Sequence, residues 1–484
     1  MKTKQIPSMS TEKGNSAGLA ASAREKIESV AKTIGSDFFL GMPDRNFGGL
    51  SPTLAVTIMT AITNGSQILY GNYGRGKTSL AETATSLMFG LPLSVVRSTE
   101  ARGSDQVAPE SYIATPVMTN LDRIRWKPFA LMPVKIFDEF NRLPERAQVY
   151  FLDGADRGVY EYGGISLMLG RVPFYATANW PDSANFNLIP PLIDRINCAV
   201  VVTAVNPAQE IGKGARDIGE TDIDNREISE QMLGVLSNLS VGPGESASEG
   251  YAKVTATLDE LSSRFKALLR NIGLNPPEKE EIAAARDAIM RMPTSKEALG
   301  FNLFVSSEFT CPNCGEKTPE NHNCAEACHY HKQIRDNEAP SPDKAQGYAF
   351  SHLTKHVSSR VTDPVNGALQ KYSAAYAWLL GDEMVKPEHI ETMLPYVLWH
   401  RVGFTESFAA ANSPTTTNGR NLNLHLAEVM AGQMLRRYID GAPDVMKVMD
   451  ALAQGDGKAL EDLLRHYDHP IVVHARNLLA AITK

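Results

Sequence analysis

A glycine-rich segment has the residue types and spacing of a loop that binds nucleotide phosphates. It fits the pattern G-x-x-x-x-G-K-[ST], follows the apolar run Gln67 to Tyr70 and opens a predicted helix, Ser79 to Phe89. In that setting glycines let backbone N–H groups wrap the phosphates, the helix N-terminus adds its dipole, and the lysine reaches the β- and γ-phosphates. A glycine-rich turn is the alternative, which the strand–loop–helix order disfavours. The predicted ATP-binding residues are Gly71, Asn72, Tyr73, Gly74, Arg75, Gly76, Lys77, Thr78 and Ser79.

Two adjacent carboxylates, Asp138 and Glu139, end another apolar run further along the chain. Because ligands bind at the carboxyl ends of the strands in a parallel sheet, we expect this pair beside the loop. Asp138 and the Thr78 hydroxyl would hold Mg²⁺, and Glu139 would activate the attacking water. An ordinary solvated turn is the alternative for two neighbouring acids. Phosphoryl transfer also requires positive charge on the phosphate oxygens, so Asn and Arg side chains beyond the pair are of interest.

Several later segments, taken with these motifs, resemble the MoxR-like AAA+ ATPases. That family belongs to a clade that also holds magnesium-chelatase ATPase subunits and replicative MCM helicases. Residues 137–148, FDEFNRLPERAQ, look like its extended Walker B motif, residues 176–181 are similar to its sensor-1 strand, and residues 188–195 match its segment LPEALLDRF. Residues 358–360 resemble its sensor-2 motif. The resemblance covers about residues 24–204 and 346–404, and it departs from the family pattern at Tyr73, Ile196 and Ser359.

The resemblance implies roles for further polar side chains. Asn179 would polarise the attacking water or the γ-phosphate, and Arg360 would touch the γ-phosphate. Arg195 takes the place of an arginine finger that acts on a neighbouring subunit, which implies a ring, usually a hexamer. Arg142 is a second finger candidate, with a salt bridge that fixes its own loop as an equally weighted alternative. With Glu139 from the acid pair, the predicted catalytic residues are Glu139, Asn179, Arg195 and Arg360.

The cysteines are unevenly distributed: four of the five lie close together and only Cys198 stands apart. Cys311 and Cys314 have the spacing of a thiolate knuckle, which is typical of structural Zn²⁺ sites. We predict a structural Zn²⁺ ligated by Cys311, Cys314, Cys324 and Cys328. The alternatives are one His in place of Cys324 or Cys328, and free thiols. The insertion that contains them, residues 309–332, would form a docking surface.

Helical patterns alternate with short apolar runs from about Ala20 to Ala204, and these elements must position the residues described above. Such an alternation predicts a parallel sheet covered by helices. The predicted strands are Gln67–Tyr70, Leu93–Val96, Val134–Phe137, Val172–Ala176 and Asn197–Val202, with a hairpin at Glu161–Gly170. The fold class is α/β: an AAA+ P-loop domain, a helical lid with a zinc-binding insertion, and a helical C-terminal extension. The divisions are a flexible N-terminus (1–20), the α/β core (21–205), a linker (206–250), the lid (251–404) and the extension (405–484).

Composition limits the classes of function. The chain has 484 residues, with 48 Lys and Arg against 55 Asp and Glu, and its formal charge of −7 gives no overall attraction to nucleic acid or anionic membrane. The polar N-terminus lacks the apolar stretch of a signal peptide, and long apolar runs are absent from the sequence. We therefore expect a soluble cytoplasmic protein without a membrane segment, in a reducing compartment.

Three hypotheses of function remain. The leading one is a chaperone-like ATPase ring that remodels or assembles a protein partner, and the family resemblance implies a von Willebrand factor A domain protein as that partner. The second is an ATP-driven DNA or RNA translocase, or a zinc-dependent nucleic-acid adaptor. The third is an inactive nucleotide-gated scaffold, which the full set of catalytic residue types disfavours.

Overall fold

The computed structural model describes residues 9–39, 41–104, 110–117, 120–180, 186–203, 218–242, 245–309, 353–357, 364–414, 421–467 and 469–482. The chain divides into two compact units. Unit 1 is Met1–Arg291 with Trp378–Leu380, and unit 2 is Met292–Ala377 with Gly381–Lys484. The division therefore falls later than residue 251, where the sequence placed the start of the lid. Among the described residues, no helix combines the length and the apolar character that crossing a bilayer requires.

A parallel sheet forms the centre of unit 1. The strands are β1 (Ser66–Tyr70), β2 (Ala101–Arg102), β3 (Ala114–Val117), β4 (Asn120–Trp126), β5 (Lys135–Asp138), β6 (Val159–Tyr162), β7 (Ile165–Met168), β8 (Phe174–Ala178), β9 (Cys198–Val201) and β10 (Ser240–Val241). Within the described residues, five of them form a parallel sheet in the order β2-β5-β8-β1-β9. Strands β5, β8 and β9 are buried along their whole length, as expected for a sheet covered on both faces. The predicted parallel sheet is confirmed.

The helices of unit 1 pack on and around this sheet. They are α1 (Met9–Thr33), α2 (Pro52–Thr63), α3 (Lys77–Phe89), α4 (Leu93–Thr99), α5 (Glu110–Ile113), α6 (Pro128–Leu131), α7 (Glu145–Gln148), α8 (Leu152–Arg157), α9 (Pro190–Arg195), α10 (Arg226–Ser237), α11 (Ala247–Asn271) and α12 (Lys279–Met290). Short 3-10 helices lie at Arg45–Phe47, Phe140–Arg142 and Val149–Phe151, and a π-helix at Ile34–Phe38. Helices α2, α3 and α6 contact the central strands. The predicted hairpin is present as the antiparallel pair β6 and β7.

The strand predicted at Leu93–Val96 is wrong, because these residues form the first turns of helix α4. Pro92 precedes the helix, and the buried side chains Leu93, Val96 and Thr99 are three residues apart, which is a helical spacing. A run of four apolar residues is too short to distinguish a strand from a helix. The edge strand of the sheet is instead the two-residue β2, which pairs with β5.

Residues 218–242, part of the expected linker, belong to folded unit 1. Ile223, Ile228, Met232 and Leu236 are buried, the last three on one face of α10. Strand β10 pairs antiparallel with β4, in a small sheet ordered β10-β4-β3 within the described residues. The apolar side chains of this segment are few, but their helical spacing brings them to one side of the helix.

The start of β5 is fixed by a buried lysine. The ammonium of Lys135 donates to the backbone carbonyls of Phe129, Ala130 and Met132 at 2.6 to 2.9 Å. These carbonyls lie at the end of α6, where a helix leaves acceptors without intrahelical partners. Burial lowers the pKa of Lys135 well below its usual value. The three hydrogen bonds therefore give the residue a structural role in holding β5 against α6.

Aromatic packing fixes the chain immediately after β5. The Phe137 ring has edge-to-face contacts with Phe140 and Phe151 at centroid distances of 4.7 and 4.8 Å. Phe129 packs on the same ring at 5.9 Å. All four side chains are buried. The cluster holds the turn that follows the Asp138 and Glu139 pair in one position.

Unit 2 is helical. Its elements are α13 (Lys296–Phe309), α14 (Pro364–Leu380, whose last turn belongs to unit 1), α15 (Pro387–Leu398), α16 (Glu406–Asn412), α17 (Leu422–Gln454), α18 (Gly457–Leu463) and α19 (Pro470–Ile482), with a 3-10 turn at Leu353–His356. Helix α17 packs on α13 and α15. Glu308 is fully buried and accepts hydrogen bonds from Arg437 and His469, which ties α13 to the chain's last helices. Residues 421–482, expected as a separate extension, thus pack in the same unit as the lid helices.

Candidate functional site

The glycine-rich loop lies between β1 and α3, as the sequence predicts. Gly74 and Gly76 have φ values of 70° and 77°, in the left-handed region that glycine adopts without strain. Gly76 is the N-cap of α3, so the loop ends at the positive end of a helix. A Cβ at Gly71 would lie 2.6 Å from the Val202 carbonyl oxygen, so only glycine fits there. The backbone therefore has the form that a phosphate group requires.

Lys77 is buried at the base of the loop. Its ammonium donates to the carbonyls of Gly71 and Asn72 at 3.0 and 2.9 Å and to Asn179 Oδ1 at 2.8 Å. Burial lowers the pKa of Lys77, and the charges of Asp138 and Glu139 oppose this effect. The lysine is thus held across the carboxyl ends of β1 and β8.

The Asp138 carboxylate receives two hydroxyl hydrogen bonds. Thr78 Oγ1 and Thr177 Oγ1 donate to its Oδ1 at 2.6 and 2.7 Å. Thr177 lies on β8, and its hydroxyl also accepts a hydrogen bond from the Glu139 backbone N–H at 2.9 Å. The threonine on the neighbouring strand therefore positions both acids of the pair.

Glu139 has an uncommon backbone conformation, with φ 52° and ψ 45°. This conformation turns the chain sharply at the end of β5. The carboxylates of Asp138 and Glu139 therefore occupy different positions although the residues are adjacent. Gly103 N donates to Asp138 O at 2.8 Å, and a Cβ at Gly103 would lie 2.0 Å from Glu139 O. The close approach of these backbones holds Glu139 in its left-handed conformation.

Asn141 connects the turn after β5 to the end of β8. Its side-chain amide donates to Asn179 O at 2.9 Å, and its Oδ1 accepts from Asn179 N at 3.3 Å. Both residues are buried. The paired hydrogen bonds fix the backbone of Asn179. Its side-chain oxygen remains available to accept the hydrogen bond from Lys77.

A charged cluster lies on the other side of Asp138. Arg102, at the edge strand β2, has Nε 3.2 Å from Asp138 Oδ2 and Nη2 3.4 Å from Glu100 Oε1. Burial, together with the nearby carboxylates of Glu82 and Asp138, raises the pKa of Glu100 to about 7. Both oxygens of Asp138 therefore have protein partners in this structure. A cation at Asp138 would compete with the exposed Arg102 guanidinium.

Arg142 lies on the 3-10 turn after the acid pair and contacts its own chain. Nη1 is 3.2 Å from Glu139 Oε2, and Nη2 donates to the Tyr73 hydroxyl at 3.2 Å. The guanidinium carbon is 5.8 Å from the centroid of the Tyr73 ring. The loop salt bridge, one of the two alternatives for Arg142, is thus present here.

The predicted loop and acid residues surround one cleft. Its cavity volume is about 250 Å³, and its lining is formed by Tyr73, Gly74, Arg75, Gly76, Lys77, Thr78, Ser79, Asp138, Glu139, Thr177 and Asn179. Arg195 is not in the lining that the described residues form: its Nη1 donates to Pro191 O in α9. Arg360 and the cysteines Cys311, Cys314, Cys324 and Cys328 lie outside the described residues. In the described part of the chain, no group of three or more His, Cys, Asp or Glu side chains is arranged to hold a metal ion.

Comparisons with known proteins agree with this architecture. Residues 367–419 match the AAA lid domain family. The structure is similar to the crystal structure of a candidate ATPase from Cytophaga hutchinsonii, with a TM-score of 0.51, 13% sequence identity, and coverage of 88% of this chain and 98% of that chain. The overall fold is thus similar to that of this candidate ATPase, and residues 367–419 are similar to an AAA lid. The sequence matches no curated protein.

Three polar residues in or beside this cleft were not predicted from the sequence. Thr177 carried a signal in the sequence, since it is the one threonine or serine in the strand Phe174–Ala178, whose other residues are alanine or aromatic. Asn141 lies within the motif block, but only its position opposite Asn179 shows its function. Arg102 carried no local signal, because its ion pair depends on the pairing of β2 with β5.

Proposed function

We propose that this chain is a Mg²⁺-dependent ATPase of the MoxR-like AAA+ type that works in a ring, usually hexameric in that family, and remodels or assembles a protein partner. The main support is the convergence of Lys77, Thr78, Asp138, Glu139 and Asn179 in one cleft. They come from the carboxyl ends of β1, β5 and β8, which are neighbours in the sheet. This edge is where parallel sheets bind nucleotides.

Each group has a distinct task in hydrolysis. Loop N–H groups and Lys77 bind the phosphates of ATP and neutralise the charge that develops on them. Thr78 Oγ1 and Asp138 Oδ1, 2.6 Å apart, are the hard oxygen ligands that suit Mg²⁺, which when bound adds positive charge at the β- and γ-phosphates. Glu139 accepts the proton of the attacking water, and Asn179 orients that water or the terminal phosphate.

A binding measurement tests the nucleotide site. We expect Lys77→Ala to abolish ATP binding, because the buried ammonium is the cation that faces the phosphates. Lys127→Ala is the matched control: it lies before α6, outside the cleft lining, and should leave binding unchanged. Equal ATP affinity of Lys77→Ala and the unmodified protein would refute the site.

The ring and its finger need a test in which two variants are mixed. Arg195→Ala should bind ATP without hydrolysing it, and Lys77→Ala should not bind it. If Arg195 acts on a neighbouring subunit, mixed rings restore turnover, because a Lys77→Ala subunit supplies Arg195 to an Arg195→Ala neighbour. Mixtures that stay inactive, although they form rings, argue against the finger role of Arg195.

The identity of the partner needs a separate experiment. The Glu139→Gln protein should bind ATP and hold its protein client, which co-purification would identify, with a von Willebrand factor A domain protein as the partner that the resemblance suggests. Turnover that DNA or RNA stimulates, with a steep dependence on salt, would favour the translocase or nucleic-acid adaptor instead.

The zinc site remains a proposal for residues 309–332. We propose that Cys311, Cys314, Cys324 and Cys328 bind one structural Zn²⁺. Metal analysis of the Cys311→Ser and Cys314→Ser proteins should show loss of zinc, with Cys198→Ser as the matched control. Unchanged zinc content in the first two would exclude this set of ligands.

A further inference from the structure

One guanidinium joins the glycine-rich loop to Glu139, the proposed general base. Arg142 touches Tyr73 through a 3.2 Å hydrogen bond and through the face of its ring, and it touches Glu139 at 3.2 Å with its other terminal nitrogen. Tyr73 and Glu139 both line the nucleotide cleft. A contact at the loop can therefore affect the acid without any movement of β5.

The ring of Tyr73 is an unusual feature of a phosphate loop. It is 54% exposed, so burial in a core does not account for a large aromatic side chain at this position. A guanidinium over an aromatic face is attracted to the ring, and the hydroxyl adds a second contact. The proline that the MoxR-like resemblance leads us to expect here would provide neither. Tyr73 is thus suited to hold Arg142.

We propose that Tyr73 is a positioning residue that holds Arg142 on Glu139 until a triphosphate occupies the cleft, and this rests on the proposed ATPase function. While it is paired, the Glu139 carboxylate has lone pairs engaged by the guanidinium and is less able to accept a proton from water. The terminal phosphate is a competing anion with the geometry that a guanidinium fork prefers. ADP lacks that group and leaves Arg142 in place.

Kinetics test the proposal with two substitutions at one position. Tyr73→Phe keeps the ring and loses the hydroxyl, and Tyr73→Leu loses both contacts. We expect kcat to rise roughly fivefold in Tyr73→Phe, the factor that one net hydrogen bond contributes to an equilibrium, and further in Tyr73→Leu. The Kd for ADP should not change in Tyr73→Phe, because the loop N–H groups and the ring 6.0 Å from Lys77 Nζ are intact. Tyr251→Phe in α11, outside the cleft, is the matched control for removal of a phenol hydroxyl.

The effect should depend on Arg142. In the Arg142→Gln protein, Tyr73→Phe should change kcat no further, since Tyr73 acts through that guanidinium. A purely structural effect of Tyr73 on the loop would change ADP affinity and would persist in the Arg142→Gln background. Unchanged kcat in Tyr73→Phe, or independent effects of the two substitutions, overturns the proposal.

A second measurement needs no turnover. In protein labelled with 3-fluorotyrosine, the ¹⁹F resonance of Tyr73 is identified by its loss in Tyr73→Phe. It should shift in Arg142→Gln without nucleotide, and Mg-ATPγS but not Mg-ADP should shift it in the unmodified protein. A resonance that Arg142→Gln leaves unmoved refutes the contact. If it responds as expected in a protein that does not hydrolyse ATP, the contact stands and the ATPase proposal fails.

Discussion

Gly103 offers a sharp test of how Glu139, the proposed general base, is held, because Gly103 lies outside every motif of the cleft. Its N–H donates to Asp138 O, and its Cα lies against the backbone of Glu139. We predict that Gly103→Ala abolishes most ATP hydrolysis while ADP binding persists. The phosphate loop is a separate segment, so its backbone should not change.

The expected magnitude follows from the geometry. The alanine Cβ would lie 2.0 Å from Glu139 O, whereas side-chain Cβ atoms are essentially never closer than 3.0 Å to a neighbour. The Glu139 backbone must therefore move by about 1 Å, and a displacement of that size at a catalytic group costs on the order of 100-fold in rate. The added methyl should also reduce the free energy of unfolding by roughly 1 to 3 kcal/mol.

Steady-state ATP hydrolysis, ADP titration calorimetry and thermal unfolding measure the three quantities. Gly234→Ala is the matched control, because its Cβ would meet nothing within 4 Å on an exposed part of α10. It should retain full activity. Turnover of Gly103→Ala within about threefold of the unmodified protein would refute the reasoning from displacement.

Three further predictions concern single side chains. Thr177→Val keeps the shape of the side chain but removes the hydroxyl that donates to Asp138. The kcat should therefore fall roughly tenfold or more while ADP binding is retained, and an unchanged kcat would contradict this. Arg102→Gln removes the guanidinium that competes with Mg²⁺ for Asp138. In a Mg²⁺ titration, the Mg²⁺ concentration for half-maximal turnover should therefore fall about two- to fivefold, and a rise in that concentration would contradict the prediction. Burial lowers the pKa of His469 below 6.5, so the unfolded chain takes up a proton that the folded chain does not, and stability of unit 2 should fall as the pH drops through 6.5. Urea unfolding at several pH values should show a weaker dependence for His469→Gln, and an equal dependence would exclude His469 as its source.

The sequence was informative where chemistry requires a local pattern. The glycine loop between β1 and α3 and the acids at the end of β5 lie where spacing and apolar runs put them, and the parallel sheet follows from the alternation of strands and helices. The strand prediction for Leu93–Val96 was wrong, because a run of four residues is too short to show whether its periodicity is that of a strand or of a helix. Helix α13 was not predicted either, since Gly300 interrupts its pattern. A Cβ at Gly300 would lie 2.4 Å from Met446 Cε of α17, so the glycine allows two helices to approach closely.

The contacts that adjust the site were not predictable from a single segment. Thr177, Gly103 and Arg102 act on the acid pair only because β8 and β2 are the two neighbours of β5 in the sheet. The meeting of Tyr73 with Arg142 likewise joins two separate turns. Such contacts depend on strand order and on the left-handed backbone of Glu139, and neither is encoded in a motif.

The central claim is that Glu139 activates water for ATP hydrolysis in this cleft. The direct measurement is phosphate release at saturating Mg-ATP by Glu139→Gln, with ATP binding measured on the same samples. Glu145→Gln, an exposed acid at the start of α7, is the matched control and should hydrolyse ATP normally. We predict that Glu139→Gln binds ATP as the unmodified protein does and loses phosphate release by on the order of 100-fold or more, the contribution of a general base. Phosphate release by Glu139→Gln at the rate of the unmodified protein would contradict the account.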